Sequence, residues 1–169
     1  MGKHGTAALW VAVAGLVGAV SAAAAADASA QDTAIFQAAG LKQVKGHWES
    51  GCNDGNDDPK GIYDPATITD RKDINGDGRP DVIITEGGVF CYGNTGQAFW
   101  IVTQKPDGSW KQMINAIGIP DLRKTKGVDG WPDILIGGPG MCFPLVRWNG
   151  KAYKLIGHSD GNKPCRPFA

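Results

Sequence analysis

The chain has 169 residues, with 17 basic and 17 acidic side chains and 25 glycines. A net charge of zero excludes a nucleic-acid partner or an anionic membrane surface, both of which select basic patches. Glycine at about twice its usual share suits turns and short strands rather than long helices.

The N-terminus reads as a targeting segment. Lys3 and His4 precede an apolar run over residues 7–20, and Ala28-Ser29-Ala30 is a small-residue cleavage site before Gln31. A cut after Ala26 competes with it. The run is too short to span a bilayer, so no membrane span is expected once residues 1–30 leave. An uncleaved anchor is the alternative. No cysteine follows the run to take a lipid. Cleavage removes Lys3 and Asp27, and the balance stays neutral. About 140 residues remain, enough for one domain (31–169), periplasmic or secreted.

Residues 32–39 carry apolar side chains at helical spacing and stop at Gly40, which predicts one short helix. The stretch from Leu41 to Glu49 alternates loosely and predicts a strand with Val44 and Trp48 inward. Residues 53–60 read as a polar loop. Within it Asp54, Asn56 and Asp58 alternate, but Pro59 takes the place of a turn glycine and Ile62 that of a ninth ligand. This is either a second ion site or a plain loop.

Residues 73–81 read Asp-Ile-Asn-Gly-Asp-Gly-Arg-Pro-Asp. Side-chain oxygens fall at loop positions 1, 3, 5 and 9, from Asp73, Asn75, Asp77 and Asp81. Gly78 permits the sharp turn at position 6, and Arg79 offers a backbone carbonyl at position 7. Ca²⁺ takes six to eight oxygens, and this spacing supplies them from one short segment. A solvated turn also uses Asn-Gly and Asp-Gly, but turn chemistry does not require acids at alternate positions and again at the ninth. Glu86, five residues on, is either a further ligand or a strand-end residue.

From there the chain reads as antiparallel β. Two segments resemble each other at a spacing of about fifty residues, a repeat-sized period. Each has a D-G-x-P-D turn, an apolar strand (82–85 and 134–136), a glycine-rich corner with a cysteine, and a hairpin. The hairpin turns are Pro106-Asp107-Gly108 and Asn149-Gly150. Phe99 and Ile101 alternate with Trp100 and Val102, so both faces of that strand are apolar and it belongs in a central layer. The expected fold is a compact, mainly β domain of two degenerate repeats with one short helix.

Cys52, Cys91, Cys142 and Cys165 all lie in the exported part and predict two disulfides, with three pairings open. Zinc lacks a C-x-x-C or a close Cys/His pair. A Cys142 nucleophile with His158 has only that pair to support it. No G-x-S-x-G, H-E-x-x-H or P-loop is present, so no enzyme is expected. Tryptophans at strand positions belong mainly to the core, and Trp110 and Trp131, beside turns, are the candidates for an exposed platform.

The run from Asp73 to Thr85 resembles the calcium loops of FG-GAP or VCBS repeats, the integrin α-propeller type, in which such a loop leads into an apolar strand. The corner at residues 137–140 resembles their Gly-Ala-Pro element. The resemblance implies a bound Ca²⁺ and a blade-like β unit. The chain lacks a clear Phe-Gly element, and two repeats do not close a propeller. The second loop has Thr125 and Gly127 in place of Asp73 and Asn75 and keeps only Asp129 and Asp133, so it reads as a metal-free turn. The first loop also resembles an EF-hand loop without its helices, with Ile84 where the bidentate Glu belongs. Over its exported length the chain is similar to small exported proteins of Gram-negative bacteria.

These readings converge on an exported, non-catalytic calcium-binding module. An envelope module binding a glycan or protein is the alternative, with a small hydrolase or enzyme inhibitor behind it. A homo-oligomer completing a larger β structure stays open.

Overall fold

The computed structural model describes residue 1 and residues 29–52 and 63–167. Residues 2–28 of the targeting segment, and Asp54, Asn56 and Asp58, lie outside the described residues. The chain divides into two compact units, Met1–Asp32 and Thr33–Ala169. The second carries the described strands.

Helix α1 covers residues 29–38, not 32–39, so helix occupies the expected cut before Gln31. It ends at the predicted glycine. Gly40 adopts φ 77°, which lets its N–H reach the Gln37 carbonyl at 2.9 Å and the Leu41 N–H reach that of Phe36 at 3.0 Å. This is a Schellman closure, which needs a left-handed residue at that position.

The single strand expected from Leu41 to Glu49 is instead a hairpin, β1 (Lys42–Val44) against β2 (His47–Glu49). Its turn is Lys45-Gly46, with φ 48° and 86°. Such turns need positive φ at both central residues, and sequence reasoning looks for Asn or Asp at the first. Lysine there conceals the turn.

Two four-stranded antiparallel meanders follow. The first is β3 (Tyr63–Lys72), β4 (Asp81–Gly88), β5 (Gln97–Gln104) and β6 (Trp110–Ile117). The second is β7 (Ile119–Lys126), β8 (Pro132–Gly137), β9 (Phe143–Trp148) and β10 (Tyr153–Ser159). In both, the D-G-x-P-D run lies at the entrance to the second strand. A four-residue helix α2 (Val89–Tyr92) turns the corner after β4.

The central strand β5 shows why the layers stack. Trp100 and Val102 pack with Val82, Ile84, Ile35 and Phe36 on one side. Phe99 and Ile101 pack with Ile83, Ile134, Val146 and Trp148 on the other. The first sheet is therefore the middle layer, as its two apolar faces predict, and each fully buried side chain of this kind stabilises by about 1.5–3 kcal/mol. Trp48 stacks on Phe36 with ring centroids 5.0 Å apart and extends the first cluster. The two disulfides are Cys52–Cys91 and Cys142–Cys165, with Cα–Cα distances of 5.7 and 5.8 Å, within the bonding range. Among the described residues no helix is long and apolar enough to cross a membrane.

Candidate metal centre in the loop between β3 and β4

The loop is closed by its own acids. Asp73 Oδ1 accepts the N–H groups of Gly76 at 2.7 Å and Asp77 at 3.1 Å, and its Oδ2 accepts that of Gly78 at 2.8 Å. The Gly78 N–H leads these in holding the Asp73 carboxyl below its ordinary range. Asn75 Oδ1 accepts from the Asp77 N–H at 3.2 Å, and its Nδ2 donates to Asp77 Oδ2 at 3.0 Å. Arg79 sends Nη2 to the same Asp77 oxygen at 2.5 Å and Nε to the Gln104 carbonyl at 3.0 Å.

Asp81 is 0% exposed. Its Oδ2 accepts the Ile74 N–H at 2.8 Å, while among the described residues its Oδ1 has no hydrogen-bond partner. Burial pushes its carboxyl above the ordinary range, against the pull of Thr103 and the loop N–H groups. The structure thus joins Asn75 to Asp77, ties Asp73 to the backbone of residues 76–78, and places Asp81 under Ile74. Among the described residues no three His, Cys, Asp or Glu side chains converge as a metal-holding group. The loop carries three carboxylates against one guanidinium, and all its donors are oxygens, the chemistry of a hard divalent cation.

The turn between β7 and β8 solves the same problem differently. Asp133 stands where Asp81 stands in the first meander, and it is 1% exposed. Arg147 reaches it through Nε to Oδ1 at 2.8 Å and Nη2 to Oδ2 at 2.7 Å. Thr125 Oγ1 donates to Oδ2 at 2.5 Å. Arg147 leads Thr125 in holding the Asp133 carboxyl below its ordinary range. In the first meander Asp81 pairs with Lys72 on β3 and with Thr103 on β5. The Lys72 ammonium is bound to Asp70 at 2.5 Å, and Thr103, in the place of Arg147, carries no charge. The second turn brings its own cation to the buried acid, and the first does not.

Glu86 is no part of the loop. It lies toward the far end of β4, about 16 Å from Asp81 at the strand rise. Its Oε1 accepts the Ser50 N–H at 3.0 Å and the Tyr63 hydroxyl, and its Oε2 accepts the Tyr92 hydroxyl. This buried carboxylate fastens β2, β3 and α2 together. Its distance along the extended strand and its partners Ser50, Tyr63 and Tyr92, remote in sequence, separate it from a loop ligand.

Burial, then the Glu86 carboxylate, pushes the Tyr63 and Tyr92 phenols upward, and burial does the same to Tyr153. These are the three tyrosines of the chain. A raised folded-state pKa contributes stability that is present below the unfolded value near pH 10 and is lost as pH rises through the folded one. Phenolate absorbance is therefore expected to appear together with alkaline unfolding; titration near pH 10 with the near-ultraviolet dichroism intact contradicts this placement.

Trp131, expected beside a turn and exposed, is 3% exposed and packs in the interlayer core with Trp148. Trp110 is half-buried against the other cluster. The apolar gap between two sheets outweighs the turn next to Trp131. Cys142 is bonded to Cys165, so it offers no thiol nucleophile to His158. No family model, curated protein or solved structure matches the chain.

Proposed function

We propose that this chain is an exported calcium-binding module without catalytic activity, in which the ion is structural. Asp73, Asn75, Asp77 and Asp81 supply side-chain oxygens and Arg79 its backbone carbonyl. The bound ion supplies positive charge to the buried acid and fixes the corner from which β4 enters the middle layer. The observation that carries this reading is the orphan Oδ1 of Asp81, set against Asp133 with its bidentate Arg147. A buried carboxylate without a counter-charge is costly, and an oxygen-lined loop of net negative charge accepts a divalent cation in the role of the guanidinium. Two disulfides and the N-terminal targeting pattern support the periplasm or the exterior as the compartment.

A ligand bound only by the folded state stabilises by about 2.7 kcal/mol at one hundred times Kd, roughly 10 °C for a domain of this size. Thermal melts in EDTA and in excess calcium chloride test the reading. A calcium-dependent rise of that order is expected, with magnesium giving less. Superimposable melts sink it.

A further inference from the structure

The neutral chain divides its charge between its two sheets. Residues 63–117 of the first meander carry five basic and seven acidic side chains, and residues 119–159 of the second carry six basic and three acidic. Part of that excess gathers on the outer face of the second sheet. Val146 and Trp148 pack toward the first sheet, so Arg147 between them faces outward. Directly opposite Arg147 on β10 stands Lys154, a pair of like charges that costs stability. Gly127, just past β7, sits on the same strand: a Cβ there would lie 2.9 Å from Arg147 Cγ and run into the Trp148 carbonyl, so only glycine fits. That close seat brings the preceding residue, Lys126, to Arg147. Lys126, Arg147 and Lys154 line one shallow groove of about 460 Å³, and among the described residues no acid lines it.

The chain treats its other exposed cations differently. Lys72 is bonded to Asp70, Arg79 to Asp77, Lys105 to Asp107 and Arg123 to Asp121, each an acid two residues away. The positions two away from Lys126 hold Lys124 and Val128, and those from Lys154 hold Ala152 and Ile156. Arg147 spends Nε and Nη2 on the buried Asp133 and keeps Nη1 for another acceptor, with 43% of its side chain exposed. One acid therefore answers three cations. Val128 and Ile156, 46% and 47% exposed, line the same groove and give it an apolar side.

We propose that this groove binds an oxyanion carried on a short apolar body. The Lys126 and Lys154 ammonium groups and Arg147 Nη1 donate to the oxyanion, and Val128 and Ile156 cover the body. Charge-assisted bonds of this kind suit phosphate, sulfate, sulfonate or carboxylate oxygens. A bound anion also relieves the Arg147–Lys154 repulsion, which nothing else in the groove does. The site is separate from the 73–81 loop and does not depend on the calcium reading.

Nuclear magnetic resonance titration of the exported chain with hexanesulfonate tests this, with calcium chloride in every sample to hold the loop constant. Saturable shifts of the Gly127, Val128 and Trp148 amide signals are expected. Lys126→Gln and Lys154→Gln are each expected to weaken binding about threefold, and the double variant about tenfold. Neither is expected to melt lower than wild type, because each removes a cation from a cluster of like charges. Lys42→Gln, an exposed lysine on β1, is expected to leave affinity unchanged. Hexylammonium, the same body with the opposite charge, is expected to shift none of these signals. Shifts that do not saturate, or that centre on another face, overturn the proposal. A double variant that binds as tightly as wild type overturns it as well. Equal binding of hexylammonium makes the groove merely apolar, and equal weakening in Lys42→Gln makes the effect one of general charge; either result also overturns it.

Discussion

Asp81→Asn is expected to raise the melting temperature of the calcium-free protein and to lower that of the calcium-saturated one. Without an ion, the wild-type chain holds a carboxylate that is 0% exposed and has one unpartnered oxygen. Asparagine keeps the acceptor for the Ile74 N–H and removes the buried charge, a relief on the order of 1–3 kcal/mol. With calcium present, the same change deletes the ligand that the ion neutralises, and about 2.7 kcal/mol of linked stability goes with it at one hundred times Kd. The sign of the effect therefore reverses with calcium. Asp133→Asn provides the contrast. Its partner is Arg147, which stays when the charge leaves, so that variant is expected to melt lower with and without calcium. Calorimetric melts of both variants in EDTA and in calcium chloride decide the matter. An Asp81→Asn protein destabilised equally in both buffers means that the carboxylate is a structural acceptor and nothing more.

Reduction of both disulfides is expected to take the domain to the edge of unfolding at 37 °C. The Cys52–Cys91 bond closes a separation of 39 residues, and Cys142–Cys165 one of 23. On the loop-closure relation these constrain the unfolded chain by about 4 and about 3.5 kcal/mol. Their sum rivals the whole stability of a typical domain, about 5–15 kcal/mol. The two losses differ in place. Cys91 lies in α2, beside Tyr92, so opening the first bond also loosens the Glu86 network; opening the second frees the segment after β10. Paired Cys→Ser variants, followed by urea unfolding, separate the two. A reduced protein with an unchanged urea midpoint contradicts the account.

Much of this architecture is legible in the residues. The period-two run from Phe99 to Val102 announces a strand with two buried faces, and it is the middle layer. The turns at Pro106-Asp107-Gly108 and Asn149-Gly150 fall between the expected strands, because their left-handed positions carry glycine. Local chemistry is readable where one residue type has one conformational use. It fails at Lys45, which adopts a positive φ without being a residue that advertises one. It fails again at Trp131, where a turn in sequence is an interlayer position in space.

The loop itself shows the same division. Side-chain oxygens at 73, 75, 77 and 81, from three acids and Asn75, mark a segment of special chemistry, and the glycines at 76 and 78 both take the positive φ such a loop requires. What no spacing displays is the difference between Asp81 and Asp133. They occupy equivalent places in two similar runs, and both are buried. The distinguishing group, Arg147 against Thr103, lies on the next strand, remote in sequence. A pairing across a sheet is visible only once the register is known.

On the proposed function, the first meander takes from a bound ion the positive charge that the second carries on Arg147. Isothermal titration of calcium into the oxidised, exported chain measures it most directly. One site is expected, with a Kd of roughly 10⁻⁴–10⁻³ M, as in extracellular calcium modules, and it is expected to disappear in Asp81→Asn. A wild-type chain that gives only the heat of dilution at concentrations well above that range, or an Asp81→Asn chain that binds as tightly as wild type, contradicts it.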